Sequence, residues 1–292
     1  FSTAFLIVLA VATGYLIANK TNGSIISSGE KRSYLLYVPD SYKPEVLTPL
    51  IISIHGYAEW PAHQAHISQW NDLADQYGFI IVYPSGTDFP KRWRSTGFAN
   101  PLDNPPLDVQ FISDLIDKLE TDYNIDPSRI YANGLSNGGG VSYLLACTLA
   151  DRIAAIGSVA GAYTYPLDQC SPSRPVPLIA FHGTADPIVP YQGGPSRSFD
   201  IPFPVIPDLI NGWADLNGCS TKTNLPQKGE ISGIQYSNCR QNADVDFYII
   251  DGGGHSWPGG NPIPAWIVGY TSQQIDATQL MWQFFMDHPL NP

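Results

Sequence analysis

"GLSNGG", residues 134–139, places one serine among three glycines directly after the apolar run 129–133. Its first five residues fit G-x-S-x-G, a turn that requires a strand before it and a helix after it. Gly134 and Gly138 lack Cβ atoms where strand and helix crowd each other, so the serine can adopt a strained conformation with an exposed hydroxyl. This setting predicts that Ser136 is a nucleophile, and a serine that merely caps the helix is the alternative.

Strand-like and helical patterns alternate along the chain. Seven runs rich in Val, Ile and Tyr are separated by helical patterns, and they lie at 33–38, 49–54, 79–83, 129–133, 154–160, 176–182 and 245–250. Several runs are continuously apolar, as strands covered on both faces must be. The alternation predicts an α/β protein with a mostly parallel sheet of about seven to eight strands and helices on both faces.

Two helical patterns give more specific expectations. Residues 65–78 are predicted to form a helix early in the chain. In the pattern 108–123, Ile112, Leu115, Ile116 and Leu119 share one helix face, and Asp108 is predicted to cap the N-terminus.

The composition indicates one large domain, which we place at 24–292. The chain has 292 residues and 43% hydrophobic content, enough for a packed core. Fifteen basic and 26 acidic residues give a net charge of −11, which opposes binding to phosphate backbones and anionic lipid surfaces. We therefore expect no nucleic-acid partner, and no motif for a phosphate-bearing cofactor is present.

The N-terminal segment 1–18 carries no charged residue. Its length lies between the core of a signal peptide and a full span of about 20 residues, and Ala10-Val11-Ala12 offers a cleavage site. We expect 1–19 to be a signal peptide, with a membrane anchor or a buried helix as alternatives. The rest of the chain is then extracellular or periplasmic, and touches a membrane only through this segment if it remains uncleaved.

The four cysteines are expected to form two disulfides. They show no Cys-x-x-Cys or Cys/His spacing suited to zinc, and an exported chain meets oxidising conditions. Three connectivities are possible. The pairs Cys147–Cys170 and Cys219–Cys239 are preferred because they close short loops, although the sequence leaves the other two open.

A serine nucleophile requires a histidine that takes its proton. His255 is the best candidate because it lies on a glycine-rich loop after the last strand-like run, with a loop histidine stabilised by Trp257 as the alternative. The other five histidines lie in helices, at strand ends or in the C-terminal tail: His55, His63, His66, His182 and His288. His63 and His66 have a spacing that could hold a metal, but no third ligand is clearly placed, so we expect no metal site.

The histidine in turn requires a carboxylate. Asp186 lies on the loop after the run 176–182, between the serine and the histidine in chain order, although Asp-Pro could also be a simple turn. The competing acids are Asp168, Asp244, Asp246 and Asp251. An acyl-transfer site also needs backbone N–H donors for an oxyanion, and Tyr57 after Gly56 and Asn137 after the serine are predicted to supply them, unless "HGY" is an ordinary turn.

Two irregular segments, 84–107 and 191–208, are rich in Pro and Gly and are predicted to form surface loops at the rim of a cleft. Aromatic residues that we expect on cleft-lining loops are Tyr57, Trp60, Trp93, Phe98 and Trp257, with core packing as the alternative for some of them. Trp93 lies between two arginines and is expected to be the most exposed.

Five motifs in order resemble the extracellular polyhydroxybutyrate depolymerase and feruloyl esterase-like group of α/β-hydrolases. They are "HGY", "DPSRIYANGLSNGG", "FHGTADPIVPYQGG", the Cys219/Cys239 pair and "GGGHSWPGG", and the resemblance covers residues 30–287. It implies an α/β-hydrolase fold, with nucleophile, acid and base at Ser136, Asp186 and His255. It also implies oxyanion donors at Tyr57 and Asn137 and disulfides Cys147–Cys170 and Cys219–Cys239.

The resemblance further implies a secreted serine esterase that needs no cofactor. The expected substrates are polyhydroxybutyrate-type oligomers or related polyesters, and the alternative is a feruloyl or acetyl ester on a plant polysaccharide. Because a Ser-His-Asp set also cleaves amides, a serine peptidase is a rival, and a non-catalytic binding protein on a hydrolase fold is another. The oligomeric state is left open.

Overall fold

One ten-stranded sheet organises the protein. The computed structural model describes residues 20–94, 107–195 and 202–290, so the expected targeting segment 1–19 lies outside it. In spatial order the strands are β1 (Gly23–Ser27), β2 (Glu30–Tyr37), β4 (Ile80–Pro84), β3 (Thr48–Ile54), β5 (Ile125–Leu135), β6 (Ala155–Val159), β7 (Leu178–Gly183), β12 (Val245–Ile250), β11 (Ile231–Ser237) and β10 (Thr221–Lys228). The six central strands, from β4 to β12, run parallel, which confirms the mostly parallel sheet.

Helices cover both faces of this sheet. The buried side chains of α3 (Leu107–Asp122), α4 (Asn137–Thr148) and α5 (Ile206–Leu216) belong to one apolar cluster. Those of α1 (Pro61–Ser68), α2 (Trp70–Tyr77) and α7 (Ala277–Asp287) belong to another. The short helix α6 (Ala265–Val268) precedes α7 in the chain. The central strand β3 is buried along its whole length, as a strand covered on two faces must be. No helix in the described part of the chain is both long and apolar enough to cross a membrane.

The sheet has more strands than the seven or eight expected. The additional members are the edge strands β1 and β10, together with β11, which joins β10 to the central part. Most residues of β10 are exposed and its sequence is TKTNLPQK, so hydrophobic alternation does not mark it as a strand. A short pair, β8 (Gly194–Pro195) and β9 (Pro202–Phe203), lies within the segment predicted to be a loop.

The early helical region is two helices rather than one. The chain turns at Gln69, whose φ is +56°, and this left-handed residue separates α1 from α2. The left-handed conformation is unfavourable for a residue with a Cβ atom and ends the α-helical hydrogen-bond pattern. The apolar spacing continues across the break, so the residue pattern contains no signal for it.

Both expected cysteine pairs are bonded in the structure. Cys147, near the end of α4, joins Cys170 on the connection after β6. Cys219, before β10, joins Cys239 just after β11. The second bond therefore closes the base of the peripheral hairpin that the sequence did not reveal.

Asp108 corrects the expected helix cap. It is the second residue of α3 and is fully buried, with its carboxylate 2.7 Å from the guanidinium of Arg32 on β2. It also accepts the backbone N–H of Arg94. The Arg32 guanidinium lies 4.0 Å from the centre of the Phe111 ring. The prediction of an N-cap was wrong because the carboxylate pairs with a buried cation from strand β2.

Replacing Asp108 by alanine is expected to lower the free energy of unfolding by about 3–5 kcal/mol, because Arg32 would remain as an unpaired buried charge. Urea denaturation at equilibrium measures this change. The matched control is Asp122→Ala at the other end of the same helix, where the pair with Lys118 is exposed. That control is expected to leave the midpoint of urea denaturation close to the wild-type value, because an exposed ion pair contributes little to stability. Equal effects of the two substitutions would refute the role of the buried pair.

Candidate active site

Ser136 occupies a sharp turn between β5 and α4. Its φ is +58° and its ψ is −120°, a conformation that is strained for a residue with a Cβ atom. The turn is held by its own backbone: the Ser136 N–H donates to the Val159 carbonyl at 2.9 Å, and the Ser136 carbonyl accepts from Gly140 and Ala162 at 3.0 and 2.9 Å. The serine therefore sits where the sequence expected a strand to pass into a helix.

The two glycines of the motif allow close contact between backbones. A Cβ atom on Gly138 would lie 2.0 Å from the Ile54 carbonyl oxygen, and one on Gly134 would lie 2.5 Å from the Gly138 carbonyl carbon. On the loop after β3, a Cβ atom on Gly56 would lie 3.3 Å from the Cβ of Ser136. The missing side chains thus bring the serine against the loop that carries the predicted oxyanion donor.

Asp186 and His255 meet after two neighbouring parallel strands, β7 and β12. The Nδ1 atom of His255 lies 2.8 Å from Oδ2 of Asp186, and both side chains are buried. The other carboxylate oxygen, Oδ1, accepts the N–H groups of Ile188 and Val189, each at 2.8 Å. These two bonds fix the carboxylate so that one oxygen faces the imidazole.

Asp186 and His255 shift each other's pKa. Burial disfavours the imidazolium of His255, but the charge of Asp186 and their hydrogen bond outweigh burial, so the pKa of His255 lies above 6.5. Burial likewise opposes ionisation of Asp186, but His255 holds the pKa of Asp186 below 3.8. An ionised Asp186 accepts the Nδ1–H of His255, which leaves Nε2 of the neutral ring as the proton acceptor.

His182 is a second imidazole near Asp186, whereas the rival acids have other surroundings. Nε2 of His182 lies 3.5 Å from Oδ2 of Asp186 and 2.9 Å from the Val189 carbonyl oxygen, and burial lowers the pKa of His182 below 6.5. Among the competing acids, Asp251 accepts from Thr184 and Asp246 accepts from Gln235. Asp168 lies in a single 3₁₀ turn, and burial raises the pKa of Asp244.

The loop that carries Tyr57 is held from several directions. Ala58 has a φ of +59° and donates its N–H to the Lys91 carbonyl at 2.7 Å. His55 Nε2 accepts the Gly86 N–H at 2.9 Å, so its Nδ1–H donates to the Gly56 carbonyl at 2.7 Å. Burial lowers the pKa of His55 to about 4, which keeps this bridging imidazole neutral.

Glu59 is a part of the site that sequence reasoning missed. Its Oε2 accepts the Gly56 N–H at 2.8 Å, and its Oε1 lies 3.4 Å from Nδ1 of His63. Burial alone would raise the pKa of Glu59, but His63 and the Gly56 N–H outweigh it and lower the pKa below 4.5. The available signal was a carboxylate three residues after Gly56, the spacing at which a side chain can close a turn.

The aromatic predictions need two corrections. Trp93, expected to be exposed, is fully buried, and its indole N–H donates to the His55 carbonyl at 2.8 Å while its backbone N–H donates to Oδ1 of Asn137 at 3.0 Å. Trp257, expected on the cleft wall, is also buried and donates to the Thr278 hydroxyl at 2.8 Å. In both cases the indole N–H has an internal partner, which sequence alone does not reveal.

The remaining aromatic predictions have mixed outcomes. Tyr57 is 40% exposed and lies at the mouth of the site. The Trp60 ring is partly buried with its centre 5.6 Å from that of His63. Phe98 lies outside the described residues. The part of the chain that the structure describes contains no group of three or more His, Cys, Asp or Glu side chains arranged for a metal ion.

Two cavities share Ser136, Tyr57 and Arg92. The first, which we call the wide cavity, measures about 420 Å³ and is lined by Glu59, His63 and His255 among others. The second, which we call the narrow cavity, measures about 20 Å³, and its further lining residues are Trp93, Asn137, Ala162 and Phe203. Ser136 and Tyr57 therefore line both cavities, whereas His255 lines the wide cavity and Asn137 the narrow one.

The chain resembles known proteins along most of its length. Residues 32–166 match the family model described as Esterase PHB depolymerase. A probable feruloyl esterase C of Aspergillus oryzae is 31% identical over 266 residues, which cover 87% of this chain and 84% of that protein. A solved acetyl xylan esterase from Aspergillus awamori is 15% identical with a TM-score of 0.60, covers 90% of this chain and 98% of its own, and shows a shared fold.

Other relatives are longer than the matched region. A bifunctional acetylxylan esterase/xylanase of Neocallimastix patriciarum is 29% identical over 234 residues, 78% of this chain but 31% of that protein. A feruloyl esterase B of Piromyces equi is 30% identical over 233 residues, 77% of this chain but 42% of that protein. The chain thus spans less than half the length of these two relatives.

Proposed function

Because this chain belongs to the esterase family of α/β-hydrolases that includes feruloyl esterase C and matches the Esterase PHB depolymerase model, we propose that it is a serine carboxylic-ester hydrolase. The observation that carries the proposal is the 2.8 Å contact of His255 with Asp186 at a cavity that Ser136 also lines. A nucleophile, a base and an orienting carboxylate are the three groups that acyl transfer through serine requires.

In the proposed mechanism the Ser136 hydroxyl oxygen attacks the ester carbonyl carbon while its proton moves to Nε2 of His255. The tetrahedral intermediate collapses, the bond to the alcohol oxygen breaks, and that oxygen takes the proton from His255. Water then attacks the acyl-serine, with His255 again accepting and returning the proton. Asp186 stays ionised throughout and stabilises the imidazolium.

The carbonyl oxygen becomes negative in each tetrahedral intermediate. We assign the backbone N–H groups of Tyr57 and Asn137 to stabilise it. Asn137 is the first residue of α4, so the positive end of the helix dipole faces the same oxygen. Glu59, Lys91 and His55 hold the turn that carries Tyr57, which supports a donor whose position does not change during the reaction.

The relatives inform the substrate class. Several of them are named feruloyl or acetylxylan esterases, which supports esters on plant polysaccharides ahead of polyhydroxybutyrate-type oligomers. Two disulfides support an extracellular or periplasmic location, where such polymers are met. Turnover of hydroxybutyrate oligomers, methyl ferulate, acetylated xylan and matched peptides distinguishes these classes and the rival peptidase. Turnover of the peptides alone would overturn the proposal.

The proposed role of His255 predicts the pH dependence. Only the neutral imidazole can accept the serine proton, and the pKa of His255 lies above 6.5, so kcat/KM for p-nitrophenyl acetate is expected to be full above this pKa and to fall as pH drops through it. A rate profile between about pH 5 and pH 9 measures the acidic limb. An acidic limb centred below 6.5 would contradict this assignment.

A further inference from the structure

Two imidazoles face the same carboxylate oxygen of Asp186. Nδ1 of His255 lies 2.8 Å from Oδ2 of Asp186, and Nε2 of His182 lies 3.5 Å from that oxygen. The first distance is that of a hydrogen bond, whereas the second is too long for a strong one. Both histidines are buried. The mechanism proposed above uses His255 and leaves His182 without a role.

The sheet itself brings His182 to this carboxylate. His182 is the fifth residue of β7 and is paired in register with Ile249 of the neighbouring strand β12. Asp186 lies on the loop after β7, and His255 lies on the loop after β12. Side chains on strands are held more precisely than side chains on loops. The ring of His182 is therefore a fixed point against which the loop carboxylate can be held.

The hydrogen-bond partner of His182 determines its tautomer. Nε2 lies 2.9 Å from the Val189 carbonyl oxygen, which can only accept a hydrogen bond, so Nε2 carries the ring proton. Burial lowers the pKa of His182 below 6.5, so the ring is neutral at pH 7. A neutral ring leaves the charge of Asp186 available to His255, whereas a second imidazolium would compete with His255 for it.

The single N–H group of His182 acts on both ends of the turn 186–189. It donates to the Val189 carbonyl, and its partial positive charge lies near Oδ2 of Asp186. The Val189 N–H in turn donates to Oδ1 of the same carboxylate at 2.8 Å. These contacts form a closed ring, so a rotation of the carboxylate or of the Val189 peptide breaks at least one of them. The ring of contacts keeps Oδ2 in the orientation that accepts from His255.

We propose that His182 is a positioning residue that holds the Asp186 carboxylate toward His255. It acts through Asp186 rather than on the substrate, since the described residues that line the wide and narrow cavities do not include it. This inference rests on the serine-esterase function proposed above, and it adds a third buried side chain to the pair of Asp186 and His255.

The first variant removes the donor and keeps an aromatic ring. His182→Phe is expected to lower kcat for p-nitrophenyl acetate by about 10–100-fold, because a displaced carboxylate no longer holds His255 in the geometry that accepts the serine proton. KM is expected to stay close to the wild-type value, because the residues that line the cavities are unchanged. Wild-type kcat in a folded His182→Phe protein would overturn the proposal.

A second variant separates the hydrogen bond from packing. The side-chain NH₂ of glutamine can donate from about the position of Nε2, so His182→Gln is expected to recover most of the kcat that His182→Phe loses. Equally low kcat in the two variants would refute the role of the N–H group.

The matched control is His288→Phe. His288 is another buried histidine that contacts a backbone carbonyl, with Nδ1 2.7 Å from the Phe284 oxygen, and it follows α7. Its replacement is expected to leave kcat at the wild-type value. An equal loss of kcat in His288→Phe and His182→Phe would contradict the proposal.

NMR spectroscopy tests the geometry without turnover. The Nδ1–H of His255, hydrogen-bonded to Asp186, is expected to give a low-field proton signal that His182→Phe loses and His182→Gln retains. In the wild-type protein, the imidazole nitrogen shifts of His182 are expected to show a neutral ring with its proton on Nε2. A His182 ring with its only proton on Nδ1 would overturn the proposal even if neither variant folds.

The outcomes separate this inference from the proposed function. If the wild type hydrolyses esters and His182→Phe keeps both wild-type kcat and the low-field signal, the positioning role fails and the serine esterase stands. If the wild type hydrolyses no ester, the proposed function fails. The NMR signals then still decide whether His182 holds Asp186 toward His255.

Discussion

Replacing Ser136 by alanine is expected to lower kcat for p-nitrophenyl acetate by at least about 10⁴-fold. The substitution removes the oxygen that forms the acyl-enzyme and leaves the cavities in place. Activity that remains would come from substrate binding and oxyanion stabilisation, since those groups stay. Steady-state kinetics measure the loss, and circular dichroism and thermal unfolding show whether the fold is retained.

The control for this variant is Ser142→Ala. Ser142 is a fully buried serine on α4, the helix that follows Ser136, and its hydroxyl donates to the Gly138 carbonyl at 3.0 Å. Its loss is expected to change kcat by less than about tenfold, because one hydrogen bond of about 1 kcal/mol is removed. Retained activity in a folded Ser136→Ala protein would contradict the account.

Replacing Asp186 by asparagine is expected to lower kcat by about 10⁴-fold, the effect of losing the correct histidine tautomer. The N–H groups of Ile188 and Val189 require an oxygen at the Oδ1 position, so the new amide would place its NH₂ toward His255. That NH₂ donates to Nδ1 of His255 and forces the ring proton onto Nε2. A protonated Nε2 cannot accept the proton of Ser136.

This variant has a second signature and a matched control. The negative charge of Asp186 raises the pKa of His255, and the asparagine variant lacks this charge. The acidic limb of the remaining activity is therefore expected to move to lower pH. Asp251→Asn, a rival acid whose carboxylate accepts from Thr184, is expected to leave kcat and the pH profile unchanged. A large loss of kcat in Asp251→Asn, with wild-type kcat in Asp186→Asn, would show that Asp251 rather than Asp186 orients His255.

The positions of Ser136, Asp186 and His255 were predictable because each of these residues follows a strongly apolar strand. Glycines at 134 and 138 indicated a crowded turn, and the structure shows the backbone contacts that need them. Asp186 and His255 were predicted on late loops by chain order, and their meeting follows from the neighbouring parallel strands β7 and β12. The parallel sheet and its two helical layers were predictable because continuously apolar strand runs alternate with helical patterns along the chain.

What could not be predicted depends on contacts between distant residues. The polar edge strand β10 has little apolar surface to mark it, although it pairs with β11. Asp108 looked like a helix cap until Arg32, 76 positions earlier, was found beside it. The indole N–H groups of Trp93 and Trp257 find buried partners, so these rings pack internally. Cavity volumes depend on all such contacts together and have no local pattern.

The most direct test of the central claim is covalent labelling of the folded protein with a fluorophosphonate probe, followed by peptide mass spectrometry. The probe reacts with a serine that a neighbouring base activates, and the oxyanion donors stabilise the adduct. The account predicts that the wild-type protein is modified at Ser136, and that Ser136→Ala is not labelled. A folded wild-type protein without label at Ser136, or with label at another serine, would contradict it.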